Sequence, residues 1–230
     1  LFLLKIKEMA TKYSKGSEWR KWDLHFHTPS SYDYENKGIT NDDIIETLRR
    51  NNIAVVAITD HHFIDIVRIK ELQRLAGEEI TILPGIEILS DARGREPLHF
   101  IGIFPEDSDI EYIWGQLENK TALCRIKGEH KIINEVYCDF PETVGLIHQL
   151  GGIVSIHAGS KSNGLEKIPN KLPHIMAQKE DIAKCVDIFE LGKPEDQSDY
   201  RSIVFPDIKR VLPMVLCSDN HNIAAYATKQ

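Results

Sequence analysis

Two histidines at Asp23-Leu24-His25-Phe26-His27 stand two residues apart. In an extended strand such residues point to one face, so both imidazoles can reach a single ion. Asp219-Asn220-His221 repeats that spacing near the other end of the chain. Between them lie Thr59-Asp60-His61-His62, Pro84-Gly85-Ile86-Glu87 and Ser155-Ile156-His157. Each follows or ends a short apolar run. Imidazole and carboxylate donors without cysteine suit zinc, manganese or iron. More than six candidate ligands are too many for one ion, so the set implies two or three divalent ions.

Strands must position these groups. Trp22–Phe26 reads as a first strand, and Ile53–Thr59 as a run buried on both faces. Ile80–Leu83, Leu98–Phe104, Ile153–Ile156, Val186–Leu191 and Pro213–Cys217 follow. Thr40 caps a helix to about Arg50, with Asp43 three residues on. Asp65–Ala76 carries Ile66, Ile69, Leu72 and Leu75 at helical spacing, and Gly77 ends it. Residues 108–150 read as a mostly helical insertion, ending in a helix from Pro141 to Leu150. Pro194–Ser198 reads as a loop before a helix over Asp199–Arg210. Strand–helix alternation argues an α/β chain with parallel strands, and seven strands fit a closed barrel better than an open sheet. Donors at the C-terminal strand ends then converge on one mouth. His99 opens its strand instead of closing it. A hairpin turning at Arg93-Gly94 brings it roughly opposite Ile88, beside Glu87.

The 230 residues fit one large domain or two small ones. Residues 1–20 read as an N-terminal extension or expression remnant, and 21–230 as the catalytic domain. No apolar run reaches membrane-span length. With 28 basic against 35 acidic residues the net charge is -7. That argues against sequence-independent binding of duplex DNA, although a metal cluster can supply positive charge locally. Cys124, Cys138, Cys185 and Cys217 form no CxxC pair and read as reduced thiols of a cytoplasmic protein.

The ordered set DLHFHT, TDH, PGIE, LHFIG, IVSIHA and SDNH resembles the PHP family, the polymerase and histidinol phosphatase metal-dependent phosphoesterases. The resemblance spans Asp23 to His221 and implies a distorted (β/α)7 barrel with a bi- or trinuclear centre. It implies His25, His27, Glu87 and Asp219 on a first ion, with Glu87 bridging to a second held by His99 and His157. Asp33, His61 and His221 then hold a third. Asp33 stands six positions after His27 with no glycine following, where the family has five and a Ser-Asp-Gly. His62 has no counterpart. Glu87, Asp219, His157 and Asp60 are the candidate catalytic groups, Asp60 as the partner that orients a ligand. Lys161, Arg93, Arg95 and Arg201 are the candidate phosphate contacts. HFHTPSSYDY also resembles PHP modules that open large proteins carrying an SMC-like or AAA-like ATPase. That implies an ATPase region in a longer protein.

The expected activity is hydrolysis of phosphate esters, as a nuclease or nucleotide phosphoesterase on single strands or ends. Three alternatives stand beside it. One is a small-molecule phosphomonoesterase of the histidinol phosphatase kind, and another is a non-catalytic docking module. The third is an amidohydrolase-type barrel, which normally wants a strand-end lysine where Glu87 stands.

Overall fold

The computed structural model describes residues 19–90, 97–128, 133–168 and 173–226. One curled sheet holds seven strands in sequence order: β1 (Lys21–Phe26), β2 (Ile53–Ile58), β3 (Thr81–Ser90), β4 (Leu98–Ile103), β5 (Ile153–Ala158), β6 (Ile188–Leu191) and β7 (Met214–Val215). β1, β2 and β3 run parallel, as do β5, β6 and β7. β4 is antiparallel to both β3 and β5; the pairing with β3 is that of the expected hairpin, and the pairing with β5 departs from the parallel alternation expected elsewhere. The short connection from Ser90 to Leu98 cannot hold the crossover that a parallel pair needs.

β3 is longer than its apolar run suggests. Its first half pairs with β2, up to Pro84 against Ile58, and its second half pairs with β4 from Gly85 onward. Pro84 and Gly85 therefore mark a change of partner, not the end of a strand. A Cβ on Gly85 would lie 3.0 Å from the carbonyl oxygens of both Gly102 and Ile58, so only glycine fits the exchange without a shift. The edges of the sheet meet at the mouth. Phe26 bridges Asn220 in parallel, His27 N donates to the Asn220 carbonyl at 3.2 Å, and Asp219 N donates to the His25 carbonyl at 3.0 Å.

Two apolar layers hold this sheet. Leu24, Ala57, Ile101, Ile103 and Ile188 come from strands that are not all neighbours, so they meet across the interior. The larger layer packs Val56, Ile58 and Ile82 against Ile44, Ile45 and Leu48 of α1 (Asn41–Arg50) and Ile69 and Leu72 of α2 (Ile66–Ala76). The 108–150 stretch contains α3 (Ile110–Lys120), α4 (Cys124–Gly128) and α5 (Phe140–Gln149), and α6 (Pro173–Cys185) precedes β6. The helix before β7 begins at Asp196, inside the expected loop. It runs as α7 (Asp196–Asp199), a π turn (Tyr200–Val204) and α8 (Phe205–Ile208). No helix among the described residues is long and apolar enough to cross a membrane.

α1 carries a full capping box. The Thr40 hydroxyl accepts from Asp43 N at 3.2 Å, and the Asp43 carboxylate accepts from Thr40 N at 2.9 Å. Thr40→Ala removes the hydroxyl and is expected to cost about 1 kcal/mol, read as a melting temperature lower by about 2–4 °C.

Candidate metal centre

The mouth of the sheet gathers donors that the chain holds far apart. His25 and His27 are fully buried, with their Nε2 atoms 2.9 Å apart. Glu87 sits between elements. Its Oε2 lies 3.1 Å from the Nε2 of both His25 and His27 and 3.3 Å from His61 Nδ1. Its Oε1 lies 2.6 Å from His99 Nδ1 and 3.6 Å from His157 Nε2. Asp219 Oδ1 is 3.4 Å from His25 Nε2 and 3.6 Å from His27 Nε2. Asp33 Oδ2 is 3.3 Å from His61 Nε2 and 3.1 Å from His221 Nε2.

Local backbone explains how each donor is aimed. His61 bridges Glu87 in parallel, and His62 N donates to the Glu87 carbonyl at 2.8 Å, which holds His62 at φ 54. Asp219 is also left-handed, at φ 48. Such φ values are uncommon outside glycine and cluster at functional sites. His99 pairs directly with Leu89, one residue from the expected register opposite Ile88. The difference matters, because a one-residue slip turns every side chain to the other face. The Leu89 pairing is the one that puts His99 on the face of Glu87. His157 Nδ1 donates to the Ser162 carbonyl at 3.1 Å, leaving Nε2 toward the centre.

Charge is strongly redistributed here. Burial opposes a proton on His25, yet Glu190, Asp219 and Glu87 outweigh it and raise its pKa well above the usual imidazole value. His27 is pushed up to about 9, where Asp219 and Glu87 overcome burial. Burial would raise Glu87, but His25 and His61 hold it well below the carboxylate range. Asp219 is lowered against burial by His25 and His27, and Asp33 by His221 and His61. His157 falls to about 3, through burial and then the Lys161 ammonium.

Two observations fit divalent ions. His25, His27, Glu87 and Asp219 offer donor atoms within 4.8 Å of one another. The groups His27/His61/His221 and His61/Glu87/His99 do the same beside them. In addition, His61 Nδ1 and His221 Nε2 are buried and make no hydrogen bond, although carboxylate oxygens stand 3.3 and 3.1 Å away. Buried ring nitrogens without hydrogen bonds, aimed among carboxylates, are the chemistry of ligands waiting for a cation. Binding must displace the proton shared between His25 and His27, whose Nε2 atoms lie 2.9 Å apart and so hold one proton between them. Affinity for Zn²⁺ or Mn²⁺ is therefore expected to rise between about pH 6.5 and 8.5, by about tenfold per unit for each proton displaced. The slope of log affinity against pH, from chelator competition, measures this, and a flat profile contradicts it.

Other expected site residues stand differently. Both Asp60 oxygens accept from Thr28, one from its N and one from its hydroxyl, each at 2.7 Å. Asp60 thus fixes the turn after β1 instead of orienting an imidazole. Arg201 lines a cleft with Pro213 and Met214 at the start of β7, the opposite end from Asp219, so it does not reach the centre. Arg93 and Arg95 lie outside the described residues. Lys161 does reach the centre. Its Nζ donates to Glu190 and lies 3.5 Å from Asp219 Oδ2. Glu190 itself was not among the expected residues, although an acidic residue ending the apolar run Ile188-Phe189-Glu190-Leu191 is a signal. His62 is buried with both ring nitrogens unbonded, and burial and His61 push its pKa down to about 3.

No family model and no curated protein matches the sequence. Solved structures do match. A protein from Bifidobacterium adolescentis assigned as a metal-dependent phosphoesterase superposes with a TM-score of 0.61 at 15% identity, over 89% of this chain and 88% of its own. A two-domain protein from Bacteroides vulgatus containing a predicted PHP-like metal-dependent phosphoesterase gives 0.56 at 18%, over 89% and 53%. A lesion-specific endonuclease from Pyrococcus furiosus gives 0.57 at 18%, over 89% and 49%. An amidohydrolase from Chromobacterium violaceum with bound sulfate gives 0.56 at 16%, over 87% of each chain. The chain spans about half the length of the Bacteroides and Pyrococcus proteins. The fold is that of the PHP-like metal-dependent phosphoesterases, a mixed α/β sheet of seven strands curled into a distorted barrel.

Proposed function

We propose that the chain hydrolyses phosphate esters with a bi- or trinuclear centre of divalent ions, Zn, Mn or Fe, held by His25, His27, Asp33, His61, Glu87, His99, His157, Asp219 and His221. One observation carries this reading: the buried Glu87 carboxylate touches His25, His27, His61 and His99, so neighbouring donor groups share it. Ions in these donors would supply Lewis acidity at the phosphoryl oxygens and a hydroxide nucleophile at neutral pH. The chain's own residues do the rest. Glu87 ties the donor groups together, and Asp219 closes the first of them from across the sheet edge. Lys161 presents a fixed cation beside Asp219, where phosphoryl charge is to be offset. Asp60 keeps the turn after His27 in place through Thr28.

The favoured substrate is a nucleic-acid end, a single strand or a nucleotide, a reading supported by the endonuclease of the same fold. A 660 Å³ cleft beside the centre is lined by Lys161, Lys193, Lys21, Trp22 and Asp219, a size and charge that suit a nucleotide. The free cysteines favour a reducing, cytoplasmic setting. An ATPase region in a longer protein is part of the same proposal.

The test supplies Mn²⁺ or Zn²⁺ and a single-stranded oligonucleotide with a 5′-phosphate and a 3′ label, with chelated protein and Asp219→Ala as controls. Shortening that needs both the metal and Asp219 supports a nuclease. An intact strand combined with metal-dependent hydrolysis of a small phosphomonoester moves the substrate to the phosphatase class. No turnover on either, with metal bound, overturns the catalytic reading.

A further inference from the structure

We infer that Glu190 is a positioning residue of the metal centre: it turns the His25 ring so that Nε2 faces the shared donors, and it anchors the Lys161 ammonium at their edge. This rests on the metal-centre reading above. Glu190 lies on β6, fully buried, at the end of the strand that faces the mouth. Its two oxygens stand 3.1 and 2.9 Å from His25 Nδ1. An ionised carboxylate only accepts hydrogen bonds, so Nδ1 must carry the proton and the lone pair falls on Nε2. That atom is the one 2.9 Å from His27 Nε2 and 3.1 Å from Glu87 Oε2. A carboxylate behind a ligating imidazole fixes the tautomer and the ring orientation together.

Lys161 extends the same device. Its side chain is 9% exposed, and its Nζ donates to Glu190. The loop that carries it is pinned from outside. Asp196 Oδ2 accepts from Ser160 N and from the Ser160 hydroxyl, both at 2.7 Å. Gly159 has φ +63, and a Cβ there would lie 2.4 Å from the Asp196 carboxylate. A competing assignment would make His25, His157 and Glu190 one more ion site, since their donor atoms lie within 4.8 Å. Lys161 argues against it. Its ammonium is 3.4 Å from His25 Nδ1, so this group of donors already holds a cation, supplied by the protein.

The experiment uses the full chain with Zn²⁺. Affinity is measured against a chromogenic chelator, and histidine tautomers are read from ring ¹⁵N shifts. Glu190→Ala is expected to weaken Zn²⁺ binding by about 10–100-fold and to move the ring shifts of one histidine, His25, off the Nε2-ligand tautomer. Glu190→Gln keeps an acceptor oxygen and is expected to recover part of the affinity and the tautomer. If Glu190→Ala does not fold, Glu190→Gln decides alone, and weakening of about threefold or more supports the inference. Affinity within about twofold of wild type, with His25 shifts unchanged, overturns it. Failure of the wild-type chain to bind Zn²⁺ at all overturns the metal-centre reading instead, so the two failures are distinguishable.

Discussion

Glu87→Gln is expected to lower kcat/KM for the phosphoester substrate by about 10³-fold or more and to reduce bound metal by over one ion per chain. The reason is position. One buried carboxylate faces the ring nitrogens of His25, His27, His61 and His99, and lies 3.6 Å from a fifth imidazole, His157. Glutamine has nearly the same volume but replaces one acceptor with an NH₂ donor and removes the charge. Donor groups on both sides then lose their common member. Aspartate at the same position keeps the charge but shortens the reach, so it is expected to fall between the two. Near-normal turnover and full metal content in Glu87→Gln would remove the basis of the mechanism.

Lys161→Met is expected to act differently: ion content stays close to wild type, while kcat/KM falls by about 10²-fold. The ammonium is not a ligand. It contacts Glu190 and faces Asp219 Oδ2 at 3.5 Å, at the inner end of the cleft beside the centre. Methionine keeps most of the buried stem and deletes the charge. It also leaves Glu190 with the imidazoles of His25 and, at 3.7 Å, His157 as its remaining partners, so a lower melting temperature is expected alongside the kinetic loss. Elemental analysis and kinetics on one preparation separate the outcomes. Loss of ions together with rate would assign Lys161 to holding the centre. No change in either would reduce it to a buried structural cation.

Much of the centre was legible because strand alternation is a strict rule. His25 and His27 are aimed by the two-residue spacing that a strand end imposes, whereas Asp219 and His221 share that spacing in a loop past β7 and are aimed by the left-handed turn at Asp219. Where the sequence misled, partner choice was the reason. Pro84-Gly85 looks like punctuation, yet here it is where β3 leaves β2 for β4. The face on which His99 lands depends on a single step of hairpin register, which the polar run 91–96 does not encode. Asp60 stands next to a ligand in sequence, but its carboxylate is claimed by Thr28 from another strand end. Arg201 was assigned by charge alone, and the π turn carries it to the far end of β7. Glu190 escaped notice because no histidine accompanies it in sequence. Its partners, His25 and Lys161, are long-range.

The meeting of the first and last sheet edges has a consequence for how the protein comes to exist. The Ser218 hydroxyl donates to the His25 carbonyl across 193 positions of sequence, and Asp219 joins His25 at the same seam. During synthesis no partial chain owns the full donor set until Asp219 and His221 have left the ribosome. Bringing such distant segments together is entropically expensive and slow, so the seam belongs to the last events of folding. An ion that binds only after closure acts as a thermodynamic latch on the entire chain. At one hundred times its dissociation constant it adds about 2.7 kcal/mol to global stability. Chelation is then felt first as an opening of the seam, and cellular metal supply becomes a determinant of how much folded protein accumulates.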